Sequence, residues 1–118
     1  MTIIRVRLDD EDRKQYGAEE PLPEELVLDL EALKDMPAGD LDALERDMDL
    51  ALIGLLGYLE PRLSPLMFAR RAAVFLAARA AGCSTRYGEF QPRLLRATFV
   101  QEDAARPPAG PSGDSSEA

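Results

Sequence analysis

The side chains of this sequence that could do chemistry are few. They are an acidic run, Asp9-Asp10-Glu11-Asp12, a single cysteine, Cys83, and the arginines at 70, 71, 79, 86, 93 and 96. There is no histidine, so a thiol or hydroxyl has no imidazole to activate it, and the usual zinc ligand sets cannot be assembled. The acidic run lacks the glycine at the sixth position and the closing glutamate of a calcium loop. It reads as a solvated turn, the usual fate of a charge run. Cys83 follows Gly82 at the end of an apolar stretch. It reads as a small, partly buried residue beside a helix end, and as the lone cysteine it can form no internal disulfide. No catalytic residue, cofactor site or metal site is expected.

The arginines raise a different possibility. "RRAAVFLAARAAGCSTRYGEF" (70–90) has the small residues, the glycine turn and the following arginines of a DNA-binding helix-turn-helix. Two features oppose that. Pro92 would fall inside the recognition helix, where it removes a hydrogen bond and kinks the chain. The charge is also divided along the sequence: residues 1–60 hold 17 acidic and 6 basic side chains, whereas residues 61–100 hold 1 acidic and 7 basic. The acidic half would repel phosphates at close range. No nucleic-acid partner is expected, and a helix-turn-helix regulator is retained only as an alternative.

The elements that must position these residues follow from periodicity. Ile4, Val6 and Leu8 alternate with Arg5 and Arg7, and Leu26, Leu28 and Leu30 repeat the pattern. Both are period-two signatures of half-buried strands, so a β-hairpin is expected over about 2–30, with "DDEDRKQYGAEEPLPE" as a long solvated connection. Leu41, Leu44, Met48, Leu52, Leu55 and Leu59 recur every three or four residues, which predicts one amphipathic helix over about 40–59 with Asp40 as its N-cap. Beyond Leu50 this helix loses its polar face. Gly54 and Gly57 within it mark a bend or a close approach of another backbone.

Ser64 and Pro65 suit the cap and first position of a second helix, running to about Ala81 and stopped by Gly82. That helix is alanine-rich and apolar nearly all round, and is expected to be the central core element with Phe68, Phe75 and Leu76 inside. A turn and short segment over 84–100 follow, with "LLRATFV" as an extended piece. Residues 101–118, rich in Pro, Gly, Ser and acid, read as a disordered tail. The fold class expected is therefore mainly α: a small single helical domain over 1–100 with an N-terminal β-hairpin and a disordered C-terminal tail.

A chain of 118 residues can bury one modest core. Its N-terminus carries charges where a signal peptide needs an apolar run. The longest apolar stretch, "LALIGLLGYL" (50–59), is about half of a bilayer span. A soluble, non-secreted protein with no membrane partner is expected. The opposed charge of the two halves admits two readings: copies attract one another head to tail, or the halves neutralise each other within one fold.

Three stretches, "RVRLDDEDRKQYGAEE" (5–20), "LVLDLEALKDMPAGDLDALERDM" (26–48) and "ARRAAVFLAARAAGCSTRYGEF" (69–90), together resemble the tail assembly chaperones of long-tailed bacteriophages, particularly those of actinobacterial phages and prophages. In that family a short hairpin and a leucine/acid helix precede an Ala/Arg helix, which is followed by a glycine, small polar residues and an aromatic pair of the "YGEF" kind. The likeness covers about residues 3–100. The tryptophan usual near the centre of the family's core helix is replaced here by Val74-Phe75.

The resemblance implies a non-enzymatic chaperone of the host cell cytoplasm, absent from the mature virion. Such a protein binds the tape measure protein, keeps its apolar helices soluble and assists polymerisation of the tail tube protein around it. Many members are made in two lengths by a programmed frameshift, in which case residues 101–118 would end the short product. A client of that kind needs an apolar surface, and copies of the chaperone would pack as a homo-oligomer. The candidate partner-binding residues are Leu52, Leu55, Leu56, Tyr58 and Leu59 on the apolar stretch, with Arg70 and Arg71 on the helix that follows. A small structural or adaptor subunit of the phage particle is the remaining alternative.

Overall fold

The structure is a computed structural model and describes residues 2–102. Three strands, β1 (Ile3–Arg7), β2 (Leu26–Asp29) and β3 (Thr98–Glu102), form an antiparallel sheet in the order β2-β1-β3. Five helices accompany it: α1 (Asp10–Tyr16), α2 (Leu30–Lys34), α3 (Ala38–Met48), α4 (Leu52–Leu59) and α5 (Met67–Ala80). The fold is thus helical with a full small sheet, broader than the hairpin expected from sequence.

The hairpin partners are as the alternation required. Ile4 lies opposite Leu28 and Val6 opposite Leu26, all four buried. Their connection is not a bare loop. Asp9 caps α1 by accepting the Asp12 N–H at 3.0 Å, and three acids in the first turn favour the positive end of the helix dipole. Two strands are marginal alone, and the third comes from the far end of the chain. β3 pairs along the whole of β1 from Ile3↔Glu102 to Arg7↔Thr98. The boundary expected at 101 is corrected accordingly, since Gln101 and Glu102 belong to β3. The rest of the expected tail, 103–118, lies outside the described residues.

The α5 helix is the core of the molecule. Ala69 and every residue from Ala72 to Ala78 are buried, and the helix lies against β2, β1 and α4. Alanines let these neighbours approach, while Phe75 and Phe90 fill the largest volumes. Gly82 ends the helix with φ +102, a conformation that side-chain-bearing residues rarely adopt. The Cys83 N–H then returns to the Ala78 carbonyl at 2.9 Å.

The start of α5 differs from expectation. Ser64 Oγ accepts the Leu66 N–H at 3.1 Å, making a turn before the helix, and Leu66 is the extended residue at its cap. Ser64 and Pro65 therefore precede the helix, and Phe68 in its first turn is 41% exposed instead of in the core.

The single helix expected over 40–59 is two. Asp49 adopts the left-handed conformation at φ 55, one of the few residue types that tolerate it. The Glu45 carboxylate reaches forward to accept the Leu52 N–H at 2.7 Å, capping α4 from α3. Met48 and Leu52 keep their place in the apolar periodicity across the break, so the pattern alone reads straight through it. Asp40 is not the cap either; α3 begins at Ala38 after Pro37.

Candidate partner-binding surfaces

The chemically capable residues of the sequence are mostly consumed inside the fold. Asp12 is 3% exposed and accepts the Arg93 backbone N–H at 2.9 Å. Asp9 and Glu11 hold the Arg93 guanidinium at 2.8 and 2.9 Å. The "DDED" run is thus the cap and first turn of a helix and not a bare turn. Asp10 and Glu11 are solvated as expected, while Asp12 is buried and the run holds the partly exposed Arg93. Hydrogen bonding from the Asp12 N–H, followed by attraction to Arg93, holds the Asp9 carboxyl below its ordinary pKa.

On the opposite side Asp47 of α3 takes Arg79 at 3.1 Å, lies 3.8 Å from Arg86, and accepts the Tyr87 N–H at 3.2 Å. Arg79, Arg86 and Arg93 therefore all meet acids of the first half of the chain. The charge division noted in the sequence is used at least in part for internal neutralisation.

Of the seven candidate partner-binding residues, three are internal. Leu52, Leu55 and Leu59 are 5%, 3% and 0% exposed and belong to the core; α4 packs them on α5 because they share one side of an eight-residue helix. Arg70 donates to the Ser64 carbonyl at 3.1 Å and lies over the Phe99 ring. Arg71 donates to the carbonyls of Phe90 (2.9 Å) and Tyr87 and stacks 4.0 Å above the Tyr87 ring. Both arginines tie the segment after α5 to α5 itself. Leu56, Arg70 and Arg71 are half-buried and Tyr58 is exposed, so four of the seven reach the surface, the two arginines with their donors already engaged.

Residues 83–97 contain only two short 3-10 turns, Tyr87–Glu89 and Leu94–Arg96, before β3 begins. A helix-turn-helix needs a second α-helix at that place, and the described residues hold none. Cys83 is buried and borders a hollow of about 350 Å³ between residues 16–23 and 81–85, with no acid or base at hydrogen-bond distance among the described residues. No helix there is long and apolar enough to cross a membrane.

Two apolar surfaces remain. The first is a groove between β2 and α2 on one side and α3 and α5 on the other. Its two hollows, about 290 and 270 Å³, share Met36, Leu44 and Arg79. Val27, Ala32 and Leu76 complete the apolar wall of the first. Each hollow lies at or below the lower end of the range usual for small-molecule sites, about 300–1,000 Å³, and fits side chains better than a ligand.

Arg79 stands at the junction. Its Nη2 is held by Asp47 and by the Thr85 carbonyl, both at 3.1 Å, while its buried Nε has no hydrogen-bond partner among the described residues. A buried donor left so is costly. Periodicity could not have found this groove, because its residues come from four elements.

The second surface is the outer side of α4 together with the start of α5. Tyr58 meets Phe68 edge-on, centroids 4.8 Å apart, and Leu66 and Met67 beside Phe68 are about half exposed. Ile53 is 87% exposed. Compared with protein-family models, with curated proteins and with solved structures, the chain matches none of them.

Proposed function

We propose that this protein is a non-enzymatic tail assembly chaperone of the long-tailed bacteriophage type, acting in the host cell cytoplasm and absent from the mature virion. Its client is the tape measure protein, which it keeps soluble while the tail tube protein polymerises. The resemblance in residues 3–100 supplies the family. The observation that carries the reading is the apolar groove of Met36, Leu44 and Leu76 with Arg79 at its junction. An amphipathic client helix laid there would place large side chains in the two hollows, the helix-in-groove mode of recognition.

The experiment is co-expression with the tape measure protein encoded nearby, followed by co-purification. Ala32 is exposed and lines the groove, so Ala32→Glu alters the surface without disturbing the core. The wild-type chain is expected to raise client solubility and co-purify, and Ala32→Glu to lose the client with its circular dichroism unchanged. A client that stays insoluble, or one held equally by Ala32→Glu, would remove the groove as the binding surface.

A further inference from the structure

The outer edge of β3 carries an inference that goes beyond the client reading, and it lies across the sheet from the groove, which β2 borders. Leu30 donates its N–H to the Thr2 carbonyl, so alternate residues of β1 counted from Thr2 face β2. Ile3, Arg5 and Arg7 therefore face β3, where they meet Glu102, Val100 and Thr98. The backbone N–H and C=O groups of Phe99 and Gln101 are thereby turned outward, and they have no backbone partner among the described residues. Edge strands are ordinarily blunted by charge, proline or a bulge. The stretch "TFVQ" (98–101) has neither charge nor proline, and its register against β1 is unbroken.

The charges around this edge are of one sign. Arg79, Arg86 and Arg93 are matched by acids, whereas Arg62, Arg70 and Arg96 meet no acid among the described residues. All three lie along β3. Arg62 sits between Pro61 and Leu63, both of which bond the Gln101 side chain. The Arg70 guanidinium is 4.8 Å from the centre of the Phe99 ring, and Arg96 closes the turn that leads into the strand. The nearby acids are already engaged: Glu102 by Arg5 at 2.8 Å and Glu60 by Lys34 at 3.0 Å. The Arg70–Phe99 contact also sets the first turn of α5 beside the strand, where Met67 and Phe68 are 47% and 41% exposed.

We propose that β3 accepts a fourth strand from a partner, an extended acidic segment with apolar side chains at alternate positions. Its main chain would bond the outward groups of Phe99 and Gln101, the strand-addition mode of recognition. Apolar side chains on its inner side would cover Met67 and Phe68, and its acids would answer Arg62, Arg70 and Arg96. A row of alternating main-chain donors and acceptors suits a peptide and not a nucleic acid, which has no such row to pair with it.

The test titrates the isotope-labelled full chain with a synthetic heptapeptide of alternating glutamate and valine, and with the same peptide carrying lysine for glutamate. The glutamate peptide is expected to bind at least about tenfold more tightly, and to slow amide exchange at Phe99 and Gln101. Gln101→Pro removes one outward N–H and should abolish binding. Gln101→Ala loses the same side-chain bonds but keeps that N–H, and should still bind. Arg62→Glu and Arg96→Glu, both at exposed positions, should each weaken the complex severalfold with the thermal midpoint unchanged. Ala32→Glu, on the groove, should bind the peptide as the wild type does. A chain that ignores the glutamate peptide, or binds both peptides equally, would overturn the proposal. So would binding that leaves exchange at Phe99 and Gln101 unaltered, or tighter binding of an oligothymidylate, which would give the arginines to nucleic acid.

Discussion

The carboxylate of Asp12 in the first helix accepts the backbone N–H of Arg93 at 2.9 Å, across 81 positions of sequence. Asp12 is 3% exposed, and the guanidinium of the same arginine lies over Asp9 and Glu11. One residue near each end of the described chain thus closes the domain. Asp12→Ala should cost about 1–3 kcal/mol, the range for stranding a buried hydrogen-bond partner, and should lower the thermal midpoint by several degrees. A midpoint unchanged in differential scanning calorimetry would mean that α1 contributes nothing to closure.

The same cluster predicts an acid response. The Asp9 carboxyl is held below its ordinary value in the folded protein, first by the Asp12 N–H and then by Arg93. Its contribution is therefore present above the unfolded carboxyl pKa of about 4 and is lost as pH falls through the lower folded value. Asp9→Asn keeps a cap of equal quality but removes the titration. Urea unfolding at successive pH values below about 4 should show the wild-type stability converging toward that of Asp9→Asn. Parallel curves would exclude this carboxylate as a source of acid sensitivity.

Leucines and isoleucine on α4 should separate sharply. Leu55 is 3% exposed and Ile53 87%. Truncation of a buried leucine alone costs about 2–5 kcal/mol, and a charge placed there costs more, so Leu55→Lys is expected to unfold the chain. Ile53→Lys should stay within about 0.5 kcal/mol, as surface changes do. Circular dichroism and thermal melts of the two variants decide the matter, and equal behaviour would show that α4 is turned differently.

Gln101 should matter more than its place near the end of the chain suggests. Its side chain accepts the Leu63 N–H at 2.5 Å and donates to the carbonyls of Leu59 (2.9 Å) and Pro61 (3.1 Å), joining β3 to the turn between α4 and α5. Gln101→Ala should destabilise by about 1–2 kcal/mol, the sum of modest net hydrogen-bond terms. Chemical denaturation measures this directly, and a loss under a few tenths would mean that β3 pairing alone holds the chain end.

What the sequence determined by itself is what periodicity and composition encode locally. The alternation of Ile4, Val6 and Leu8, matched by Leu26 and Leu28, specified two strands with one buried face each, because a strand exposes alternate residues whatever it packs on. The alanine-rich run from Ala72 to Ala78 specified a helix buried all round, and Gly82 its end. The tertiary structure alone decided the rest. Asp49 breaks the long leucine helix at little cost in a left-handed conformation, without glycine or proline to announce it, and the leucine spacing is satisfied on either side.

α1 is a charged helix with no apolar period; what holds it is the contact of Asp12 and Tyr16 with residues 90–93, which the sequence places far away. β3 exists because β1 offers it an open edge. The arginines look free in sequence, yet Arg70, Arg71, Arg79 and Arg93 each donate to carbonyls or carboxylates brought near by the fold. Which leucines of α4 face inward, and so which apolar residues are left for a partner, depends on where α5 lies. A helix that is apolar on every side carries no mark of its own orientation, and only packing supplies one.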